Sequence, residues 1–185
     1  MKKILLAASL LTATFSNAQT KFFTKKGKIT FDATTANSPE QIRAKNENVI
    51  SVIDLSTGAM EFMLSMTAFE FEKALMQEHF NENYVESEKF PKANFKGSVT
   101  NYKDITLSKE GVYNVTVKGN LTMHGVTKEV SSNGTMTVKG GMLTAGKAEF
   151  KVNLPDYGIE IPSVVSDKLS KEAKIKVDLA FEPSK

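Results

Sequence analysis

Residues 113–130, YNVTVKGNLTMHGVTKEV, decide how the chain folds. Tyr113, Val115, Val117, Leu121 and Met123 share one parity, and Asn114, Thr116, Lys118, Asn120 and Thr122 the other. A period of two puts successive side chains on opposite faces, so this is a strand with one dry and one wet face. The pattern breaks at His124-Gly125, where Gly125 can take a backbone conformation that a side chain disfavours. The pair therefore reads as a bend or bulge, with His124 on the polar parity.

The same alternation recurs on either side. Ala148, Phe150, Val152 and Leu154 stand against Lys147, Glu149, Lys151 and Asn153; Ile175, Val177, Leu179 and Phe181 stand against Lys174, Lys176 and Asp178. Ile29, Phe31 and Ala33 and then Val49, Ser51, Ile53 and Leu55 repeat it near the start. Turn signals fall at Lys109-Glu110-Gly111, Ser132-Asn133-Gly134 and Gly140-Gly141. One-sided antiparallel strands at this spacing argue for an all-β sandwich or barrel.

Two segments depart from the rhythm. Ser38-Pro39-Glu40-Gln41 combines an N-cap serine, a proline at the first helical position and a glutamine three after the cap, and predicts a short helix. From Phe71, the positions Leu75, Met76, Phe80 and Tyr84 follow a helical period until Pro91, which holds Phe90 extended. Such a helix would cover an open end or edge of the sheet.

The first 19 residues, MKKILLAASLLTATFSNAQ, have two lysines, an apolar run from Ile4 to Phe15 and small residues at Ser16 and Ala18. This is the layout of a secretory signal peptide (1–19) preceding one domain over 20–185, and the run is too short for a membrane span. The expectation is an exported protein, periplasmic or secreted, with no transmembrane segment after cleavage. Losing Lys2 and Lys3 takes the formal charge from +3 to +1. Arg43 is the only arginine and no basic block occurs, so nucleic-acid binding has no electrostatic support. With no cysteine, the fold has no disulfide and must be held by packing.

Candidate chemistry is sparse. The two histidines, His79 and His124, lie in no metal-binding motif, and no nucleophile elbow or phosphate loop occurs. Neither a metal nor a cofactor is expected. The chain holds 12 Phe, 8 Met and no Trp. Phe62, Met63, Leu64, Met66, Phe69 and Phe71 put apolar groups on both faces of what reads as one strand. Either the interior is ordinarily packed with a helix outside it, or a barrel is left partly unfilled for an apolar ligand. The residues leave both readings open.

Three stretches break that tie: LTMHGVTKEV (121–130), DYGIEIP (156–162) and HFNENYVESEKFPKANFKG (79–97). In this order and spacing they resemble the YceI-like family of exported lipid-binding proteins, most densely from Phe71 to Pro162. The resemblance implies an elongated, lipocalin-like antiparallel β-barrel of about eight strands. It also implies one or two short helices near an end, a long apolar tunnel and no cofactor. The implied ligand is a polyisoprenoid, a quinone-like lipid or another long-chain amphiphile. Lys28–Ala33 and the polar stretch after them depart from the family's usual opening, which implies a reshaped tunnel mouth.

On this reading Phe62, Leu64, Met66, Phe69, Tyr113, Val115, Val117, Leu121, Met123, Phe150 and Val152 form the tunnel wall. Leu75, Met76, Phe80 and Tyr84 form a lid, and His124 and Tyr157 are polar groups near the mouth. Two rivals stand beside this carrier. One is a closed structural or partner-binding envelope protein. The other is a lipid-acting enzyme in which His124 works with Asp156 or Tyr157. A free sheet edge would also allow a homodimer.

Overall fold

A computed structural model describes residues 20–184; the expected leader, 1–19, lies outside the described residues. The long strands are β1 (Lys21–Thr34), β2 (Arg43–Asp54) and β3 (Ala59–Ser65). After a two-residue β4 (Glu70–Phe71) and a short helix α1 (Ala74–His79) come β5 (Lys92–Val99), β6 (Gly111–Met123), β7 (Val126–Lys139), β8 (Met142–Asn153) and β9 (Leu169–Ala180). A final pair of residues, β10 (Glu182–Pro183), adds to β1. All pairings are antiparallel, and β1 pairs with both β9 and β2. The sheet thereby closes into an eight-stranded barrel, as the alternation and the resemblance led us to expect.

Parity explains which way each strand faces. Val152, Val177 and Leu179 are buried, while Lys151, Lys174 and Lys176 between them are exposed. On the wet face of β8 and β9, Lys151–Glu172, Lys174–Glu149 and Lys147–Asp178 pair at 2.6, 2.7 and 3.0 Å. Exposed pairs of this kind contribute at most about 1 kcal/mol each, so the dry face holds the barrel together.

The two ends differ. At one end lie the connections 55–58, 100–110 and 140–141; the barrel beneath them is filled by Phe22, Ile53, Val99, Leu143 and Leu179, each no more than 2% exposed. At the other end lie 35–42, 66–91, 124–125 and 154–168. These long segments cap the barrel instead of crossing it.

Four local expectations are corrected. Residues 35–42 form turns and bends and no helix, because they must return the chain between neighbouring antiparallel strands; the Ser38 hydroxyl donates to the Glu40 carbonyl at 2.6 Å. Ser132-Asn133-Gly134 lies inside β7, where Gly134 faces Ala148 of β8. Phe62 to Phe71 is not one strand: a 3-10 turn at Met66–Ala68 separates β3 from β4. The amphipathic helix is one and a half turns of α1 followed by a wider π turn, Phe80–Tyr84, with Phe71 in β4. Among the described residues no helix is long and apolar enough to cross a membrane.

Closure pairs most strand edges, but a seam stays open between β7 and β8. β7 and β8 pair only from Gly134–Ala148 to Lys139–Met142, leaving residues 126–133 and 149–153 without pairing to each other.

Candidate functional site

Beneath the capping segments the barrel encloses a cavity of about 240 Å³. Its walls are almost wholly apolar. β1 contributes Ile29 and Phe31, β3 Phe62 and Leu64, β6 Leu121 and Met123, and β8 Phe150 and Val152. The cap supplies Met66, Phe69, Phe71, Met76, Phe80, Tyr84 and Val85 from one segment and Leu154, Ile159, Ile161 and Val165 from another. The polar side chains on the lining are His79, Tyr84 and Lys168, and no carboxylate is among them.

The cap is held by a nucleus of aromatic rings. Phe80 lies 5.7 Å from Phe31, 5.4 Å from Phe69 and 5.0 Å from Phe71, in edge-on or tilted arrangements that suit aromatic quadrupoles. Phe80 therefore locks the helical segment to β1 and β4, while Met76 and Tyr84, one turn before and one after it, reach the cavity.

Of the expected wall, Phe62, Leu64, Met66, Phe69, Leu121, Met123, Phe150 and Val152 line the cavity. Tyr113, Val115 and Val117 do not, though their parity is right; they stand further along β6, toward the filled end. Val115 is 4% exposed in the packed core, and the Tyr113 hydroxyl donates to the Lys109 carbonyl at 2.6 Å, with the Thr106 carbonyl 3.1 Å away. Val117 lines a smaller, deeper cavity of about 60 Å³. Of the expected lid, Met76, Phe80 and Tyr84 line the main cavity; Leu75 is 60% exposed and points away from it. Ile159 and Ile161 were missed, although they sit in the DYGIEIP stretch already singled out. Ile29 and Phe31 were missed too, their strand read only for its face.

His124 and Tyr157 are not on the lining; they fasten the cap. His124 (φ 51) and Gly125 (φ 73) form the two-residue turn between β6 and β7, and positive φ at both positions suits the twist of a tight hairpin. A Cβ on Gly125 would come within 2.7 Å of the Phe90 ring. Held in this turn, the imidazole is hydrogen-bonded on both sides. Nδ1–H donates to the Tyr157 carbonyl at 2.9 Å, and Nε2 lies 2.8 Å from Glu86 Oε2. A carboxylate and a carbonyl only accept, so both contacts draw on the ring as donor and both of its nitrogens are engaged. Phe90 packs edge-on to it at 4.6 Å.

One side chain thus ties together the β6–β7 hairpin, the 66–91 segment and the 154–168 segment. The hydroxyl or carboxylate partner that the rival enzyme reading asks of Tyr157 or Asp156 does not meet the ring; its two partners are the Tyr157 carbonyl and Glu86. Tyr157 meets the ring through its backbone carbonyl, and its own hydroxyl is buried without a partner. Burial, with the nearby Asp156 charge, pushes that phenol above the usual tyrosine range.

Comparison with known proteins agrees with the architecture. A polyisoprenoid-binding domain from Saccharophagus degradans, implicated in plant cell wall breakdown, superposes with a TM-score of 0.72 at 12% identity, covering 90% of this chain and 99% of that one. BcnA of Burkholderia cenocepacia superposes with a TM-score of 0.68 at 12% identity, covering 83% and 95%. No curated protein sequence matches the chain. The description of the YceI-like domain matches residues 5–181, and by that match the chain belongs to the YceI-like family.

Proposed function

We propose that this protein holds a long-chain apolar ligand in its barrel cavity, without altering it, and carries or sequesters that ligand in the cell envelope. The single observation behind this reading is the 240 Å³ apolar cavity capped by Met76 and Tyr84 around the Phe80 anchor. A barrel needed only as a scaffold would gain by filling that space with side chains, as its other end does. The closed structural protein is thereby disfavoured. The polyisoprenoid-binding neighbour from Saccharophagus degradans supports an isoprenoid chain as the ligand; a quinone-like lipid or fatty amphiphile has the same apolar shape.

Each buried CH₂ contributes roughly 0.8 kcal/mol, so chain length dominates affinity and the headgroup mainly sets orientation. His79, Tyr84 and Lys168 are the groups on the lining that a polar headgroup would meet. Non-enzymatic action fits the state of His124, whose two nitrogens are both engaged in holding the cap. The leader over 1–19 supports export to the periplasm or beyond.

Leu121→Trp tests the reading by filling the cavity from its wall. We expect the folded variant to lose binding of a fluorescent fatty acid that the parent protein takes up. Full binding by the folded variant would overturn the assignment of this cavity as the ligand site.

A further inference from the structure

The interior is divided in two. Below the main cavity of about 240 Å³ lies the second, of about 60 Å³, and Phe62, Leu121 and Phe150 line both. The deeper one is reached along the same strands, one inward-facing step on at Met60 and Ala148 and two steps on, past Gly119, at Val117. The three shared side chains are therefore a collar between two chambers.

One side of the collar is fixed. Phe62 stacks on Phe95 with ring centroids 5.2 Å apart and planes 14° from parallel. Phe95 is 5% exposed, and its ring lies over Gly97 and Gly119, which pair with each other across β5 and β6. A Cβ on Gly97 or Gly119 would come within 2.6 or 2.8 Å of Phe95 Cζ. Two opposed glycines thus give Phe95 its place, and Phe95 gives Phe62 its place.

The other side can yield. Phe150 stands two residues beyond Ala148, the last residue of β8 paired to β7 toward the mouth. The neighbouring link across the seam is the Ser132 hydroxyl to the Glu149 carbonyl, at 3.4 Å. Phe150 is carried on a stretch whose backbone ladder runs to β9 alone, so its ring can shift at lower cost than Phe62.

We propose that Phe62, with Leu121 and Phe150, sets the length of chain this protein accepts: the ligand tail fills the main cavity and stops at the collar, and longer chains must open it. This rests on the lipid-binding reading above. Each methylene buried in the main cavity raises affinity about fourfold. A methylene that meets closed rings adds nothing, so affinity should climb with chain length and then break.

The test is competition by a graded series of straight-chain carboxylic acids against a fluorescent fatty acid bound to the delipidated protein. We expect a break in the parent protein, and a shift of that break to longer chains in Phe62→Ala. Phe150→Ala should shift it in the same direction and serves if Phe62→Ala does not fold. Adding Ala148→Phe, which fills the deeper chamber, should cancel the gain. Binding with the break unmoved in a folded collar variant would overturn the length gauge and leave the carrier reading standing. Binding at no chain length would overturn the carrier reading and the gauge with it.

Discussion

His124 and Glu86 both hold positive φ, at 51° and 44°, a conformation that costs a side-chain-bearing residue roughly 1–2 kcal/mol. The hydrogen bond between them, at 2.8 Å, works against that cost. His124→Ala should therefore destabilise the fold by about 2–3 kcal/mol, because it leaves Glu86 and the Tyr157 carbonyl without their donor. Urea unfolding measures this, and an unchanged midpoint would mean that His124 does not hold the cap. Tyr157→Phe should act oppositely, gaining up to about 1 kcal/mol by deleting a buried, unpartnered hydroxyl. The pH dependence has a definite sign. The phenol is raised in the folded state, so its contribution is complete below the unfolded value near pH 10 and is lost as pH rises toward the folded value. The parent should lose stability there and Tyr157→Phe should lose less. The bend at His124-Gly125 was legible because a glycine interrupted a clean alternation. The partners of His124 were not, since Glu86 lies 38 residues away and nothing local points to it.

At the scale of elements, strands were easier to read than the cap. Period-two alternation is imposed by a sheet buried on one side, and it survives in β6, β8 and β9 with little interruption. The cap obeys no single period: β4, α1 and the π turn change geometry within 15 residues, from 70 to 84. A helical reading from Phe71 onward caught Met76, Phe80 and Tyr84 but also took in Leu75, which faces solvent. This gives a paired prediction. Leu75→Ser should change stability and ligand binding by no more than about 0.5 kcal/mol. Phe80→Ala, which empties the centre of the aromatic nucleus, should cost about 3–5 kcal/mol and loosen the lid. Thermal unfolding with and without ligand separates the two, and equal effects would mean that the cap is not organised around Phe80.

Over the whole molecule, alternation gave the face of each residue but not its depth. Tyr113, Val115 and Val117 share the inward parity of Leu121 and Met123, yet the barrel is filled at one end and hollow at the other, so position along the strand decides which of them meets the cavity. Depth follows from strand register and from where the long connections gather, and both are set by pairing between distant segments. Closure was legible only as a class, sandwich or barrel, until the family resemblance selected the barrel; the β1–β2 pairing that completes it joins strands on either side of a stretch that reads as a helix. The cavity is proposed above as a ligand site. Native mass spectrometry of the full chain, purified without detergent and then incubated with long-chain isoprenoid and fatty lipids, addresses it most directly. We predict one long-chain molecule per barrel, released on denaturation and identifiable by extraction; a mass that stays that of the bare protein after incubation with both lipid classes would contradict the claim.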